Sequence, residues 1–152
     1  MTYQKGQGPA HMLERSLAEP HAYFPTGECF NDALDGMCEM LANVPVHERR
    51  DWRLVHALCA WTEQRYAHAW FEDRKSVYEG KLKAGAKVYL VQPRKIFYRE
   101  LKVIDPTYFT FEQALGLNYM TNHFGPWHKK YREACAQDIK DFVLGQGEAM
   151  PA

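Results

Sequence analysis

Tyr66-Ala-His68-Ala-Trp70-Phe-Glu72 alternates as an extended chain does, with Ala67, Ala69 and Phe71 on one face and His68, Trp70 and Glu72 on the other. Asp73-Arg74 follows as turn residues, and Ser76 to Glu79 resumes the apolar pattern, so the segment predicts a β-hairpin. With a two-residue loop the numbers of cross-strand partners add to 147, which sets Trp70 opposite Val77 and His68 opposite Glu79. Directly opposed residues hold their Cβ atoms about 5 Å apart, close enough for a carboxylate to fix one tautomer of an imidazole.

The segments on either side extend this hairpin into a sheet. Arg53-Leu-Val-His-Ala-Leu-Cys-Ala-Trp61 is apolar and reads as the preceding strand if Thr62-Glu-Gln-Arg65 turns the chain. Lys81 to Ala86 reads as a polar loop, and Lys87–Val91 and Ile96–Ile104 as further strands split by Pro93. Ahead of the sheet, Phe30, Ala33, Leu34, Met37 and Leu41 recur at helical spacing, with Thr26 as N-cap and Pro45 enforcing the stop. Thr110-Phe-Glu-Gln113 fits a capping box ahead of a helix, and Pro126 opens another that carries Tyr131, Cys135, Ile139 and Phe142 and ends at Gly145. Asp105-Pro106-Thr107 reads as turn chemistry leading to the capped helix. Residues 1–25 read as irregular, with one helical turn near Met12 to Leu17, and 146–152 as a flexible tail. The expectation is one α+β domain over residues 26–145, a helix packed on a small antiparallel sheet with helices at its C-terminal end.

A chain of 152 residues is long enough to bury a proper core. Nineteen basic and nineteen acidic side chains leave no net field to draw in nucleic acid or an anionic membrane, and neither partner is expected. The basic stretches Lys81 to Lys87 and His128-Lys-Lys-Tyr-Arg132 read as solvated faces. The polar start carries no apolar core of the kind secretion signals have, so a cytoplasmic location is expected. Cys29, Cys38, Cys59 and Cys135 form no CxxC pair and are expected as free thiols. No metal is expected, because Cys29, His68, Glu79, His123 and His128 lack the close spacing of structural zinc sites. No cofactor is expected either; Gly6 and Gly8 follow no strand and make no phosphate loop.

One cysteine has a favourable setting. Cys29 in Thr26-Gly-Glu-Cys29-Phe-Asn-Asp-Ala-Leu34 falls within the first turn of the proposed helix, where unpaired N–H groups favour a thiolate and could help hold an oxyanion. Cys29, His68 and Glu79 then fit the roles of nucleophile, base and orienter. The same residues taken singly fit a buried thiol and an ordinary cross-strand ion pair.

Gly27-Glu-Cys29-Phe-Asn-Asp-Ala-Leu34, followed 39 residues after the cysteine by His68-Ala-Trp70, resembles the transglutaminase-like branch of the papain-like cysteine hydrolases. The resemblance covers roughly residues 24–80. It implies a nucleophile helix packed against an antiparallel sheet that carries the base and its orienter, but not the substrate; a protein, peptide or other amide, acted on through a thioester, is the separate expectation. Members of such families include proteases, amidases, deamidases and acyl transferases. Their third residue is usually an Asp followed by Pro, whereas the return strand here offers Glu79-Gly80, and Asp105-Pro106-Thr107 comes later. Glu79 is the expected orienter and Asp105 the alternative. The expected activity is cysteine-dependent acyl transfer: amide or ester hydrolysis, deamidation or transamidation. The competing expectation is a non-catalytic protein-binding module on the same fold. Trp70, His123, Phe124 and Trp127 are the expected cleft residues, the last three on a Gly-Pro turn.

Overall fold

A computed structural model of the chain describes residues 11–14, 28–60, 65–83 and 86–135. Over these the order is β1 (His11–Glu14), α1 (Glu28–Leu41), β2 (Arg53–Ala60), β3 (Arg65–Glu72), β4 (Ser76–Lys83), β5 (Ala86–Pro93), α2 (Arg94–Glu100), β6 (Ile104–Phe109) and α3 (Phe111–Thr121). Val46–Asp51 forms a 3-10 helix after α1, and residues 129–135 are helical. Six strands make one sheet in the order β1-β5-β4-β3-β2-β6, antiparallel throughout except where β1 runs parallel to β5. The chain is therefore α+β.

Strict alternation along β3 gives the sheet two dissimilar faces. Ala67, Ala69 and Phe71 join Phe30, Leu34, Met37 and Leu41 of α1 in the larger core. The small side chains of Ala67 and Ala69 let the helix settle close to the strand. Tyr66 and Trp70 join Val55, Ala57, Cys59, Val77, Phe97 and Leu101 in a second core on the opposite face, which α2 covers. Glycine permits the closest approach: a Cβ on Gly36 would lie 2.8 Å from ring carbons of both Phe71 and Tyr89, and one on Gly80 would lie 3.3 Å from the Asp32 carbonyl.

Glu72 anchors the end of β3. It is fully buried and accepts from Trp70 Nε1 at 2.9 Å, from Arg53 Nε at 2.9 Å, and from Arg94 Nε and the Tyr98 hydroxyl. A buried carboxylate is tolerated only when its charge is matched and its lone pairs are filled. Here β2, β3 and α2 supply the donors, which ties the three elements together.

Several expectations change. Glu72↔Val77 and Phe71↔Tyr78 are the β3–β4 partners, so partner numbers add to 149 rather than 147. The cause is Asp73, whose carboxylate accepts from the Lys75 and Ser76 N–H groups at 2.8 Å each and widens the loop. The shift is by two, so every side chain keeps its predicted face. Ile96–Ile104 is not a continuous strand. Residues 94–100 are helical, because a strand would force Arg99 onto the face of Phe97 and Leu101, whereas the helix turns it to solvent. Lys81 to Lys83 extend β4 instead of starting a loop, and Asp105-Pro106-Thr107 lies within β6 instead of a turn. His11–Glu14 is a strand, not part of a helical turn. The capping box at Thr110 and Gln113 is present, with Gln113 N–H donating to Thr110 Oγ1 at 3.1 Å. The proposed cap Thr26, the turn at 62–64, and Ile139, Phe142, Gly145 and the tail lie outside the described residues.

Gly36→Ala should lower stability by about 1–3 kcal/mol despite the better helix propensity of alanine, because both ring neighbours are fully buried. Urea unfolding should show a lower midpoint at an unchanged slope.

Candidate active site

Alternation along β3 and β4 fixes what faces what. Val77 and Glu79 share the second face with Tyr66, His68 and Trp70. Extended along the strands, the observed register opposes Glu79 to Trp70 and sets His68 on the diagonal. A diagonal pair is about 7–8 Å apart at Cα. Glutamate, one methylene longer than aspartate, spans it, and His68 Nε2 meets Glu79 Oε2 at 2.7 Å. The pair is enclosed, with His68 5% exposed and Glu79 4%. Its second oxygen, Oε1, accepts from Gln92 Nε2 on β5 at 2.9 Å. Gln92 gave no signal in the sequence, because a single amide on an apolar strand has no motif and only the β4–β5 register, Val77↔Gln92, brings it to Glu79.

Cys29 comes to the same strand from the other side. It lies in the first turn of α1, as expected, and packs with the larger core. Burial pushes its thiol well above the ordinary cysteine range; the Ala69 N–H partly offsets this, while Cys135, Glu79 and Asp32 add to the rise. Desolvation thus outweighs the helix start, and the resting side chain is a thiol instead of the thiolate expected from the helix dipole alone. Its Ala69 neighbour is the residue next to His68.

The sheet is open at this point. β2 and β3 pair along eight residues, as do β4 and β5, whereas the β3–β4 ladder ends after two pairs beside the loop. Beyond Phe71↔Tyr78 no ladder pair joins β3 to β4 among the described residues, and the Cys29 thiol meets the Ala69 N–H on this stretch of β3.

The other expected site residues fall elsewhere. Asp105 is exposed on β6, with β2 between it and β3; its carboxylate pairs with Lys130 Nζ at 3.0 Å, so Glu79 and not Asp105 is the acid at His68. Trp70 is fully buried against Phe97, with ring centroids 4.9 Å apart, and walls no cleft. Trp127 and Phe124 pack against the α1 side of the sheet, and His123 is exposed, its Nδ1 accepting from the Gly125 N–H at 3.1 Å. Trp70 and the 123–127 turn therefore occupy opposite faces. Among the described residues no three His, Cys, Asp or Glu side chains converge to hold a metal, and no helix is long and apolar enough to cross a membrane.

His56, which carries no motif in the sequence, has a demanding position in the structure. Fully buried on the α1 side of β2, it is stacked on Trp127 at 5.1 Å and edged by Phe30 at 4.7 Å and Phe109 at 5.0 Å. Neither ring nitrogen has a hydrogen-bond partner among the described residues. Burial, helped by the nearby His128, pushes its pKa down to about 3.

No family model matches this chain, and no curated protein or solved structure does. The residues and their geometry carry the reading of the site.

His56 makes stability depend on pH. Its folded value of about 3 lies below an unfolded value of about 6.5, so only the unfolded chain takes up a proton in between. Its contribution is complete above about pH 6.5 and falls by roughly 1.4 kcal/mol per unit as the pH drops towards 3. Urea midpoints measured between pH 7 and 4 should fall steeply for the wild type and more shallowly for His56→Leu.

Proposed function

We propose that the protein is a cysteine-dependent acyl-transfer enzyme of papain-like or transglutaminase-like type, acting on an amide or ester carbonyl. The observation that carries this reading is the enclosed His68–Glu79 pair, held on the residue beside the one that contacts the Cys29 thiol. Glu79 engages Nε2 and leaves Nδ1 as the ring atom directed away from it, the nitrogen a base would use.

Because the resting thiol is protonated, attack is coupled to proton transfer. The S–H proton passes to His68 Nδ1 through the opening between β3 and β4, while sulfur forms a bond to the carbonyl carbon. Glu79 stabilises the resulting imidazolium without itself becoming protonated. Collapse of the tetrahedral intermediate breaks the bond to the leaving amine or alcohol, which takes the proton from His68 and leaves a thioester on Cys29. Water or an amine then releases the acyl group, with His68 again moving the proton. N–H groups of the first turn of α1 are the candidate oxyanion donors. The substrate class is a protein, peptide or other amide, and the mechanism needs no cofactor.

A second reading, a binding module that retains the fold without chemistry, is favoured by the burial of the Cys29 thiol and by its approach from the face opposite His68. Iodoacetamide alkylation read by peptide mass spectrometry separates the two. If His68 takes the proton, Cys29 should react with an apparent pKa below about 8, and His68→Ala should move it above the ordinary thiol value of about 8.5. Glu79→Asp, too short to span the diagonal, should slow the reaction at pH 7 by about tenfold or more, nearly as much as Glu79→Ala. Equal behaviour of Cys29 in the wild type and all three variants would leave only the binding module.

A further inference from the structure

We infer that Gln92 is a positioning residue for the His68–Glu79 pair: its amide N–H holds Glu79 ionised and oriented, and thereby fixes His68 as the tautomer protonated at Nε2. The inference deepens the acyl-transfer reading and rests on it for the role of the base.

The geometry is unusually well defined for an amide. Val77↔Gln92 and Glu79↔Leu90 are register partners, so Gln92 shares a sheet face with Glu79 and reaches it along the diagonal. An ionised carboxylate can only accept, so the amide must turn Nε2, not Oε1, towards it. That places Gln92 Oε1 in the interior, where it is buried and has no partner among the described residues. Gln92 is 1% exposed, on a face whose other fillers include Val55, Ala57 and Val77. A leucine or methionine would fill such a space without stranding an acceptor, and a stranded buried acceptor is costly. Gln92 therefore makes structural sense through its N–H alone.

Each oxygen of Glu79 then has its own donor. A donor on Oε1 favours the ionised form, and Oε2, left facing the imidazole at 2.7 Å, demands an N–H from Nε2. Nδ1 carries the lone pair as a consequence, which is the state a base needs before it can take a thiol proton. Among the described residues, titratable groups near the pair include Tyr66 and Glu72 on β3, Cys59 on β2, and Cys29 and Asp32 on α1. Glu72 is saturated by Arg53, Arg94, Trp70 and Tyr98, so it does not compete for His68.

The test is ring 15N NMR of histidine-labelled full-length protein, with the His68 signals assigned by His68→Gln, combined with the pH profile of Cys29 alkylation. Wild type should show His68 protonated at Nε2. Gln92→Leu, matched in size but without a donor, should mix the tautomers and raise the apparent pKa of Cys29 alkylation by about one unit. Gln92→Met, also without a donor, should do the same, and carries the test if Gln92→Leu fails to fold by near-UV circular dichroism. Unchanged ring shifts and profile in a folded variant would make Gln92 a packing residue and overturn the inference, with the acyl-transfer reading intact. A wild-type His68 protonated at Nδ1 would overturn both.

Discussion

The close seating of α1 on the sheet is the constraint from which the rest follows. Gly36 and Gly80 have no Cβ, so the helix lies against the Phe71 and Tyr89 rings and its Asp32 carbonyl against β4. A helix held that close brings the Cys29 thiol of its first turn to the Ala69 N–H of β3. The same burial that positions the thiol keeps it protonated. Placement and ionisation are opposed here, and the proposed role of His68 as base would reconcile them.

Two buried carboxylates on one face show how similar burial serves different ends. Glu72 is surrounded by two guanidinium groups, an indole and a phenol. What it holds in place is architecture. Glu79 is held instead by the Gln92 amide and the His68 imidazole, and belongs to the proposed site.

The sequence made the strands and helices near the site legible because period-two alternation at 66–72 and helical spacing at 30–41 are both strong signals. It also put His68, Trp70 and Glu79 on one face correctly, since a register error of two preserves parity. It missed the loop, because the Asp73 cap depends on two backbone N–H groups that only the folded turn presents. It assigned Ile96–Ile104 to a strand although period-two spacing puts Arg99 on the face of Phe97 and Leu101, a conflict that a helix, with those two four residues apart, removes. Gln92 and the caged His56 were invisible for a different reason: each is defined by strands or helices far off in sequence. The expectation for Cys29 weighed the helix dipole and left out desolvation, which depends on packing and is the larger effect.

β1 has a consequence for how the chain matures. His11 pairs with Val88, 77 positions further on, and among the described residues β1–β5 is the only parallel pairing. During synthesis the first strand emerges long before any partner exists, while β2 to β5 form in succession by neighbouring antiparallel pairings. The N-terminal strand can therefore dock only once β5 exists, a nonlocal closure whose entropy is met late. Until then the β5 edge stands open to other chains, so nascent or truncated forms that end before this docking are the ones most exposed to strand-exchange association.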